Sequence, residues 1–350
     1  MADLGQRFVA NPLLSPGDLE PSHEDFCIEC VLNPGVFQFD NKTWLVLRVA
    51  ERPKQSPGKV TFPVLNGSEH YDIIEFNTDD PGLDVSDPRL VTYRGVTYLS
   101  TISHLRLVCS DDGTHFYEPE SVPTRLLGSG KLEDFGIEDC RVTEIDGTFY
   151  LTYTEVSRHG VGVGLMHTTD WHQMTRHGMI LPPHNKDCAL FPERINGKYY
   201  CLHRPSGIDI GGNFIWIANS EDLTHWGEHQ CILTTRPGLW DSARVGAGAS
   251  PIRTEAGWLV IYHGANTKHR YCLGACLLDL DNPTRVLVRA EEPVMEPIAD
   301  YEQKGFFGNV VFTNGHVVDG DRLTIYYGAS DTVICAAEFS IANILSMLGH

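Results

Sequence analysis

The sequence predicts an all-β protein in which one antiparallel unit is repeated along the chain. Three observations support this. Hairpin-like segments with alternating β-branched and aromatic residues recur with their turns about 50 to 63 residues apart, in the range of stacked β-units. A second phrase, with an acidic turn and an aromatic residue, lies between several of these segments. Helical periodicity is found only near the C-terminus, in IANILSMLGH.

The first recurring unit is a β-hairpin that follows a polar corner. Its clearest copy is FGIEDCRVTEIDGTFYLTYT, from Phe135 to Thr154. The turns IDG at 145–147 and ING at 195–197 supply the positive-φ residues that tight hairpins require. Six copies are recognisable, with turns at Asn41, Gly95, Gly147, Gly197, Gly257 and Gly320.

The second phrase predicts an outer pair of strands. It reads CSDDGTHFYEP from Cys109, TTDWHQMTRHG from Thr168 and NSEDLTHWGEH from Asn219. Two hairpins per period give four antiparallel strands, which is the blade of a β-propeller. Six hairpin copies allow six blades, or five blades with one hairpin as closure or insertion. We predict a single β-propeller domain over 1–350, with its active site at the central channel.

Composition and charge narrow the range of partners and compartments. The net charge of −19 argues against nucleic acid and against an anionic membrane surface, and an anionic substrate would need a dedicated basic pocket. The N-terminus has no signal-peptide pattern and no apolar run is long enough to cross a membrane, so we expect a cytoplasmic protein. The ten cysteines are scattered, and Cys27 and Cys30 form a lone CxxC without zinc spacing, so we expect no metal.

Charged residues recur at the strand ends that would converge on a propeller channel. Carboxylates there suit proton transfer to a glycosidic oxygen, and cations suit phosphate. Each residue alone can be a local ion pair: Arg52 a surface charge, Asp187 a turn cap, His104 a partner within its sheet. A cluster of cations in so acidic a chain favours function instead. The converging positions are Arg48, Arg52, Asp87, Arg89, Asp139, Arg141, Lys186, Asp187, Glu193, His203, Arg204, Asp241, Arg244 and His263.

An ordered series of motifs resembles glycoside hydrolase family 130, the mannoside phosphorylases and related mannosidases on a five-bladed β-propeller. The series covers nearly the whole chain. One departure is Cys140, which stands in the third place of a corner that is usually EDPR or EDAR. The motifs are NPG at 33–35, RVAER at 48–52, SHL at 103–105, GIEDCR at 136–141, NKD at 185–187, LFPE at 190–193, LHRP at 202–205, RVGAG at 244–248, YHG at 262–264 and YCLGACLLD at 271–279.

The resemblance implies an inverting phosphorolysis of β-mannosides that yields α-mannose 1-phosphate, with inorganic phosphate as co-substrate and no other cofactor. Asp139 falls on the general acid, which would act through the 3-hydroxyl of the transferred mannosyl unit. The phosphate ligands would be Lys186, Arg204, Arg244 and His263, with Arg48 and Arg52 close by. Sugar contacts are expected from Asp87, Arg89, His104, Arg141, Asp187, Glu193, His203, Asp241, Tyr271 and Asp300.

Two other functions remain open from the sequence. A hydrolase of the same fold would need a second carboxylate, such as Glu193 or Asp241, to activate water. A non-catalytic propeller would bind glycans alone. The retained cations favour phosphorolysis, and the segments that include SDPR at 86–89 and ADYEQKGFFGNVVF at 299–312 resemble enzymes acting on β-1,2-linked mannooligosaccharides. Glu138 is expected to point away from Asp139 across an extended strand, and a homo-oligomer remains open.

Overall fold

A computed structural model describes residues 3–67, 70–87, 89–207 and 210–350, so Pro88 of the SDPR corner lies outside it. Strands dominate, which confirms the all-β prediction. The two α-helices are short, α1 (Asp300–Gln303) and α2 (Ile341–Met347). Among the helices described, none has the length and apolar character needed to cross a membrane.

The strands follow one another along the chain with few other elements between them. Their bounds are β1 (Gln6–Arg7), β2 (Phe26–Phe39), β3 (Lys42–Pro53), β4 (Lys59–Asn66), β5 (His70–Asn77), β6 (Leu83–Asp84), β7 (Leu90–Tyr93), β8 (Val96–Leu99), β9 (Ile102–Ser110), β10 (Arg125–Leu126), β11 (Ile137–Ile145), β12 (Thr148–Ser157), β13 (Gly160–Thr168), β14 (Thr175–Leu181), β15 (Asn185–Leu190), β16 (Tyr199–Pro205), β17 (Ile215–Ser220), β18 (Gly227–Leu233), β19 (Arg244–Ala247), β20 (Ile252–Thr254), β21 (Gly257–Ala265), β22 (Tyr271–Leu278), β23 (Val286–Arg289), β24 (Val311–Asp319), β25 (Arg322–Ala329) and β26 (Val333–Ser340).

Within the described ranges, these strands form five large antiparallel sheets, here called sheets I to V. Sheet I contains β2, β3, β9 and β10, sheet II contains β11 to β14, and sheet III contains β15 to β18. Sheet IV contains β19, β21, β22 and β23, with β20 paired to β21. Sheet V contains β24, β25 and β26 together with β1, so strands near the two ends of the chain pair with each other.

One of the six predicted hairpin copies is an insertion. The copy with its turn at Gly95 forms β7 and β8, which pair with β6 in a small sheet of their own. Along the chain, this sheet and the β4–β5 hairpin come between β3 and β9, which pair directly with each other in sheet I. The other five copies each belong to a large sheet, as the alternative of five units with one insertion requires.

The turn chemistry agrees with the sequence. Asp146 and Gly147 have φ values of 51° and 76°, and Asn196 and Gly197 have 51° and 82°. Both central residues of each hairpin are therefore left-handed, as predicted for IDG and ING. The acidic phrases lie in the turns between the third and fourth strands of sheets I, II and III; there the Asp222 carboxylate, for example, accepts hydrogen bonds from backbone N–H groups.

Apolar clusters fill the spaces between the large sheets. In the cluster between sheets I and II, the rings of Phe37 and Trp171 stack with centroids 3.9 Å apart. Other clusters join sheets II and III, III and IV, IV and V, and V and I. The sheets therefore pack face to face, and their first strands lie near one another: β11 contacts β2, β15 and β24.

Candidate functional site

The site is built on irregularities at matching points of the first strands. The pairing register shifts at Leu32/Gly35 in β2, at Glu138/Arg141 in β11 and at Lys186/Ala189 in β15. A bulge re-aims a side chain that regular pleating would place elsewhere. In these three bulges the residues with positive φ are polar: Asn33 at 42°, Asp139 at 48° and Asp187 at 54°. All three side chains line one cavity.

This cavity has a volume of about 380 Å³ and a charged and an aromatic part. Cations and carboxylates come from the first strands and their neighbours, whereas the aromatic residues come mostly from the segment that follows α1. Its wall contains Cys30, Leu32, Asn33, Arg48, Ala50, Arg89, Leu90, Leu99, Thr101, Glu138, Asp139, Lys186, Asp187, Arg204, Arg244, Tyr271, Phe306, Phe307, Val310, Phe312 and Asp331.

Asp139 is 5 % exposed and is held by two donors. The amide of Asn33 donates to its Oδ1 at 2.9 Å, and Nη1 of Arg48 lies 3.3 Å from the same oxygen. Burial favours the neutral carboxyl, but Arg48, Lys186 and the Asn33 hydrogen bond outweigh it and lower the pKa of Asp139 below its ordinary value. The carboxyl is therefore an anion at neutral pH.

Glu138 lines the same cavity, so the expectation that it points away from Asp139 is wrong. Its Oε1 accepts a hydrogen bond of 2.7 Å from Nη2 of Arg48. The alternation of an extended strand fails here because Asp139 is left-handed within the bulge, which turns both carboxylates towards one guanidinium. Arg48 is fixed further by Nε, which donates to Ser103 Oγ at 3.0 Å.

Asp187 is the anionic centre of a buried group that contains two arginines and a histidine. Its carboxylate lies 2.9 Å from Nη1 of Arg204, 3.3 Å from Nη2 of Arg141 and 3.2 Å from Nε2 of His263. Burial opposes its ionisation, but Arg204 and His263 hold the pKa of Asp187 well below its usual range. Asp187 also lines the cavity, so its contact with the sugar stays a prediction.

Arg141 does not line the cavity but fixes the strands that do. The side chain is 1 % exposed and donates to the carbonyl oxygens of Asp139, Ala247 and Gly248 at 2.8 to 3.0 Å. It therefore ties the bulge of β11 to the residues at the end of β19. The predicted sugar contact is replaced by a clamp between sheets II and IV.

His263 also lies behind the cavity wall. It is fully buried, and burial, partly offset by Asp187, lowers its pKa to about 4, so the imidazole is neutral at pH 7. Its Nε2 lies 3.2 Å from Nη1 of Arg204 and its ring packs on Phe312. Its imidazole contacts Arg204, and Arg204 lines the cavity.

Four cations of the predicted phosphate group line the cavity: Arg48, Lys186, Arg204 and Arg244. Nη1 of Arg244 donates to the hydroxyl of Tyr271 at 2.9 Å, and Tyr271 is itself part of the wall. Nε of Arg204 and Nε of Arg244 are buried and have no hydrogen-bond partner among the described residues. Guanidinium groups in this state suit an anionic ligand with several acceptor oxygens.

Several predicted site residues lie away from this cavity on the surface. Arg52 pairs with Glu29 at 2.8 Å, and Glu193 pairs with Arg253 at 3.2 Å. Asp300 begins α1, with its side chain 87 % exposed. Arg52 and Glu193 were expected to converge because they follow strand-like segments, and Asp300 was expected from the resemblance alone. The first strands instead contribute to the cavity at their bulges.

Three predicted site residues are buried outside the cavity wall and make contacts within the protein. His104 lies beside Glu51 and Arg106, and burial lowers its pKa well below the ordinary value. His203 bonds to Asn185 and His229, and burial lowers its pKa to about 3. The carboxylate of Asp241 is enclosed by three donors, Arg236, Arg289 and Tyr262. Because its oxygens are taken, Asp241 is unsuited to activate water.

Asp87 and Arg89 belong to the insertion and lie at the rim. Asp87 accepts from Nε and Nη2 of Arg89 at 3.0 and 2.7 Å, and these bonds lower the pKa of Asp87 to about 2. Arg89 lines the cavity. Asp87 is not part of the cavity wall and holds the Arg89 side chain through these hydrogen bonds.

Several residues of the wall were not predicted from the sequence, among them the polar and aromatic residues Asn33, Glu138, Phe306, Phe307 and Asp331. Asn33 had a signal, since NPG, EDC and KDC place a polar residue at the same point of successive units. Asp331 follows Ser330, and both are left-handed at 48°. Burial, opposed by Arg48 and reinforced by Asp139, raises the pKa of Asp331 to about 6. No cluster of three or more His, Cys, Asp or Glu that could hold a metal occurs in the part of the chain that the structure describes.

Comparisons with known proteins agree that the chain resembles mannoside phosphorylases, and they differ in the linkage that they name. Residues 69–350 match the profile of a family, glycoside hydrolase family 130, described as β-1,4-mannooligosaccharide phosphorylase. A β-1,2-mannobiose phosphorylase of Listeria innocua is 44 % identical over 348 residues, 98 % of each chain. A 1,2-β-oligomannan phosphorylase of Thermoanaerobacter is 40 % identical over 252 residues, 71 % of this chain and 82 % of that relative. The structure of a Listeria innocua β-1,2-mannobiose phosphorylase in complex with β-1,2-mannobiose superposes with a TM-score of 0.95 at 43 % identity, covering 99 % of both chains.

Proposed function

The chain belongs to glycoside hydrolase family 130, and we propose that it catalyses the reversible phosphorolysis of β-1,2-linked mannosides. The substrates are a β-1,2-mannobiose or mannooligosaccharide and inorganic phosphate. The products are α-mannose 1-phosphate and a sugar shortened by one unit. The β-1,2 linkage is proposed because two relatives named as phosphorylases of β-1,2-mannosides are at least 40 % identical to this chain.

The observation that carries this proposal is the set of cations around Asp139. Lys186, Arg204 and Arg244 line the same cavity as that carboxylate, and two of them have buried Nε groups without a partner in the described structure. An anionic ligand in so acidic a protein needs such a cluster of cations. Phosphate fits, because it is a nucleophile that already carries negative charge and needs no activating base.

A hydrolase of the same fold is not favoured by the positions of the two carboxylates that the sequence offered for it. Hydrolysis with inversion needs a second carboxylate that accepts a proton from water. Glu193 and Asp241, the residues considered for this task, are engaged elsewhere with Arg253 and with two arginines. Glu138 is bonded to Arg48, and Asp187 to two arginines.

In the proposed mechanism Asp139 supplies a proton and the cations hold phosphate. Asp139 protonates the 3-hydroxyl of the mannosyl unit, which passes a proton to the bridging oxygen as the glycosidic bond breaks. Phosphate bound by Lys186, Arg204 and Arg244 forms the new bond to the anomeric carbon from the opposite face. Tyr271 orients Arg244 through a 2.9 Å hydrogen bond, and neutral His263 supports Arg204 from behind.

Phosphate also prepares the acid. In the free protein Arg48 and Lys186 hold the pKa of Asp139 low, which is unsuited to a proton donor. An anion placed on these cations cancels part of their field, so the pKa of Asp139 rises when phosphate binds. The proton and phosphate therefore bind together, which restricts acid catalysis to the complex that contains the nucleophile.

For the architecture we propose a single five-bladed propeller over 1–350. The five sheets would be the blades, and the apolar clusters that join I to II, II to III, III to IV, IV to V and V to I support a closed ring. The pairing of β1 with β26 would fasten the last blade. This ring would place the bulges of the first strands around its channel.

The deciding experiment compares products with and without phosphate. Purified protein is incubated with β-1,2-mannobiose in phosphate or in a phosphate-free buffer, and mannose 1-phosphate and mannose are separated and quantified. Phosphorolysis is supported if mannose 1-phosphate and mannose form in equimolar amounts, and only when phosphate is present. Mannose released as two equivalents per substrate, at the same rate without phosphate, would show the hydrolase instead. β-1,4-Mannobiose serves as the linkage control.

A further inference from the structure

The rim of the cavity holds a group of planar side chains that the proposed mechanism does not use. The guanidinium carbon of Arg89 lies 4.9 Å over the ring centroid of Phe307. On another side the ring of His269 meets Phe307 in an edge arrangement, with centroids 5.8 Å apart and planes at 69°. These side chains come from three separate segments: the insertion, the loop before β22 and the segment after α1.

We propose that Arg89, Phe307 and His269, here called the rim platform, bind the leaving sugar of the phosphorolysis and therefore the acceptor sugar of the reverse reaction. This inference rests on the proposed function. It assigns to Arg89 a task different from that of the deeper cations, and it adds two residues that the sequence did not indicate.

The charge of Arg89 is the first reason. Two of its nitrogens, Nε and Nη2, are bonded to the carboxylate of Asp87, and the pair is therefore close to neutral. A neutralised guanidinium attracts phosphate weakly, but its remaining N–H groups still donate to hydroxyl oxygens. Arg204 and Arg244 differ, because each has a buried Nε with no partner within the described residues.

The apolar surface is the second reason. Leu90 and Leu99 of the insertion line the cavity next to Phe306 and Phe307. Sites for neutral ligands combine such surface with a few directed polar groups. A sugar ring offers both C–H faces for the aromatic rings and hydroxyls for Arg89. The part of the wall with Arg48, Lys186 and Asp139 is charged and suits the reacting bond and the phosphate.

Position is the third reason. The side chain of Arg89 is 47 % exposed, whereas Asp139 is 5 % exposed. The transferred mannosyl unit must lie between Asp139 and the phosphate, so it occupies the deep part. The rest of the substrate must extend towards solvent, and the rim platform lies on that route.

The rim platform is fixed to the protein. The backbone N–H of Phe306 donates to Thr332 Oγ1 at 2.8 Å, and that of Phe307 donates to the carbonyl of Ser330 at 3.1 Å. Both bonds join the aromatic pair to the turn that carries Asp331. A platform with this support can select a sugar instead of adapting to any ligand.

The experiment compares Michaelis constants for sugar and for phosphate. In Phe307→Ala and Arg89→Ala, KM for β-1,2-mannobiose, and KM for the mannose acceptor in synthesis, should rise at least about tenfold. KM for phosphate and for mannose 1-phosphate should stay within about twofold, because the rim platform is proposed to bind the leaving sugar and not the phosphate. Phe307→Tyr, which keeps the ring, should restore most of the sugar affinity.

A matched control lies in the same insertion. The guanidinium carbon of Arg94 lies 5.0 Å over the ring of Tyr93, and neither residue belongs to the cavity wall. Arg94→Ala should leave all four constants unchanged. Equal rises in the sugar and phosphate constants, or no rise in either, would overturn the platform while the wild type still performs phosphorolysis.

Failure of the proposed function gives a different result, because then the wild type itself makes no mannose 1-phosphate. Binding of β-1,2-mannobiose to Asp139→Asn, measured by calorimetry without phosphate, provides a readout independent of turnover. Adding Phe307→Ala to this variant should weaken the binding at least about tenfold. Unchanged binding in the folded double variant would contradict the platform.

Discussion

Glu138 and Asp139 are consecutive in β11, yet their carboxylates contact the same guanidinium, with Oε1 of Glu138 2.7 Å from Nη2 and Oδ1 of Asp139 3.3 Å from Nη1 of Arg48. The bulge at this point and the left-handed backbone of Asp139 make the arrangement possible. Arg48 therefore divides its field between two anions. The share that Asp139 receives controls how readily it takes up a proton.

Replacing Glu138 should shift the pH profile. In Glu138→Gln the charge of Arg48 acts on Asp139 alone and a neighbouring anion is lost, and both effects lower the pKa of Asp139 further. Acid catalysis needs the protonated form, so the fall of kcat/KM at high pH should begin at lower pH than in the wild type. Glu144→Gln, an exposed position of the same strand, is the control and should not move the profile. A shift to higher pH would contradict the shared guanidinium.

Replacing Asp139 should remove the chemistry but not the site. Asp139→Asn keeps the shape of the side chain and abolishes the proton donor, and general acid catalysis contributes about 10²- to 10⁴-fold. We expect kcat to fall at least about 10²-fold while β-1,2-mannobiose still binds. Retention of near-normal turnover would move the acid to another wall residue, and Asp331, with a pKa of about 6, would be the first to test.

Anion binding should bring a proton with it. If an anion on Arg48 and Lys186 raises the pKa of Asp139, binding at pH 5 includes proton uptake. Sulfate is the suitable probe because, unlike phosphate, it does not titrate near this pH. Calorimetry in two buffers with different ionisation enthalpies should show uptake in the wild type and less in Asp139→Asn. The same uptake in both proteins would place the proton on a different group.

The sequence predicted the repeat well because turn chemistry and strand alternation are local. IDG and ING formed the expected hairpins, and the acidic phrases formed the outer turns. The alternation rule failed at Glu138, since a bulge depends on pairing with another strand and not on the residues alone. The same limit explains Arg52 and Glu193: proximity to a strand end is visible in the sequence, but the direction of the side chain is not. Asp331 and Phe307 were missed because their place in the cavity depends on contacts between distant segments.

The buried charge centre at Asp187 should make a large contribution to stability. In Asp187→Asn, two guanidinium groups, those of Arg141 and Arg204, lose their counter-charge inside the protein. Breaking a buried pair in this way costs about 3–5 kcal/mol of unfolding free energy. Asp300→Asn, whose carboxylate is 87 % exposed beside Lys304, should change it by less than about 1 kcal/mol. Urea unfolding of both variants provides the comparison, and equal midpoints would show that the centre contributes little.

Replacing Arg244 and replacing Tyr271 should raise KM for phosphate to different extents. Arg244→Ala removes a direct cation, so KM for phosphate should rise more than KM for β-1,2-mannobiose. Tyr271→Phe keeps Arg244 but removes the 2.9 Å hydrogen bond that orients it, so the same constant should rise in the same direction by less. In the double variant the effect of Tyr271→Phe should vanish, because there is no guanidinium left to orient. Additive effects would mean that Tyr271 acts independently of Arg244.

A buried carboxyl pair in sheet II predicts a pH dependence of stability that is separate from catalysis. Glu155 is 2 % exposed, and burial together with nearby Glu133 raises its pKa to about 8, although Arg176 opposes this. Glu133 itself is paired with Arg176 at 2.7 Å and accepts from the hydroxyl of Tyr153 at 2.8 Å. The folded protein therefore keeps a proton on Glu155 that the unfolded chain has already lost at neutral pH.

The stabilising effect of that proton should disappear as the pH rises. The pKa of Glu155 is higher in the folded state, about 8 against 4.5 for an ordinary glutamate, so its contribution is complete below pH 4.5 and is lost between pH 4.5 and 8. In Glu155→Gln the amide replaces the protonated carboxyl, so the unfolding free energy at pH 8 should rise relative to the wild type and its slope across this window should decrease. The exposed Glu144→Gln is the control and should leave the slope unchanged. Urea unfolding at pH 5, 6.5 and 8 measures all three proteins, and parallel curves for the wild type and Glu155→Gln would show that Glu155 is ionised in the folded protein throughout.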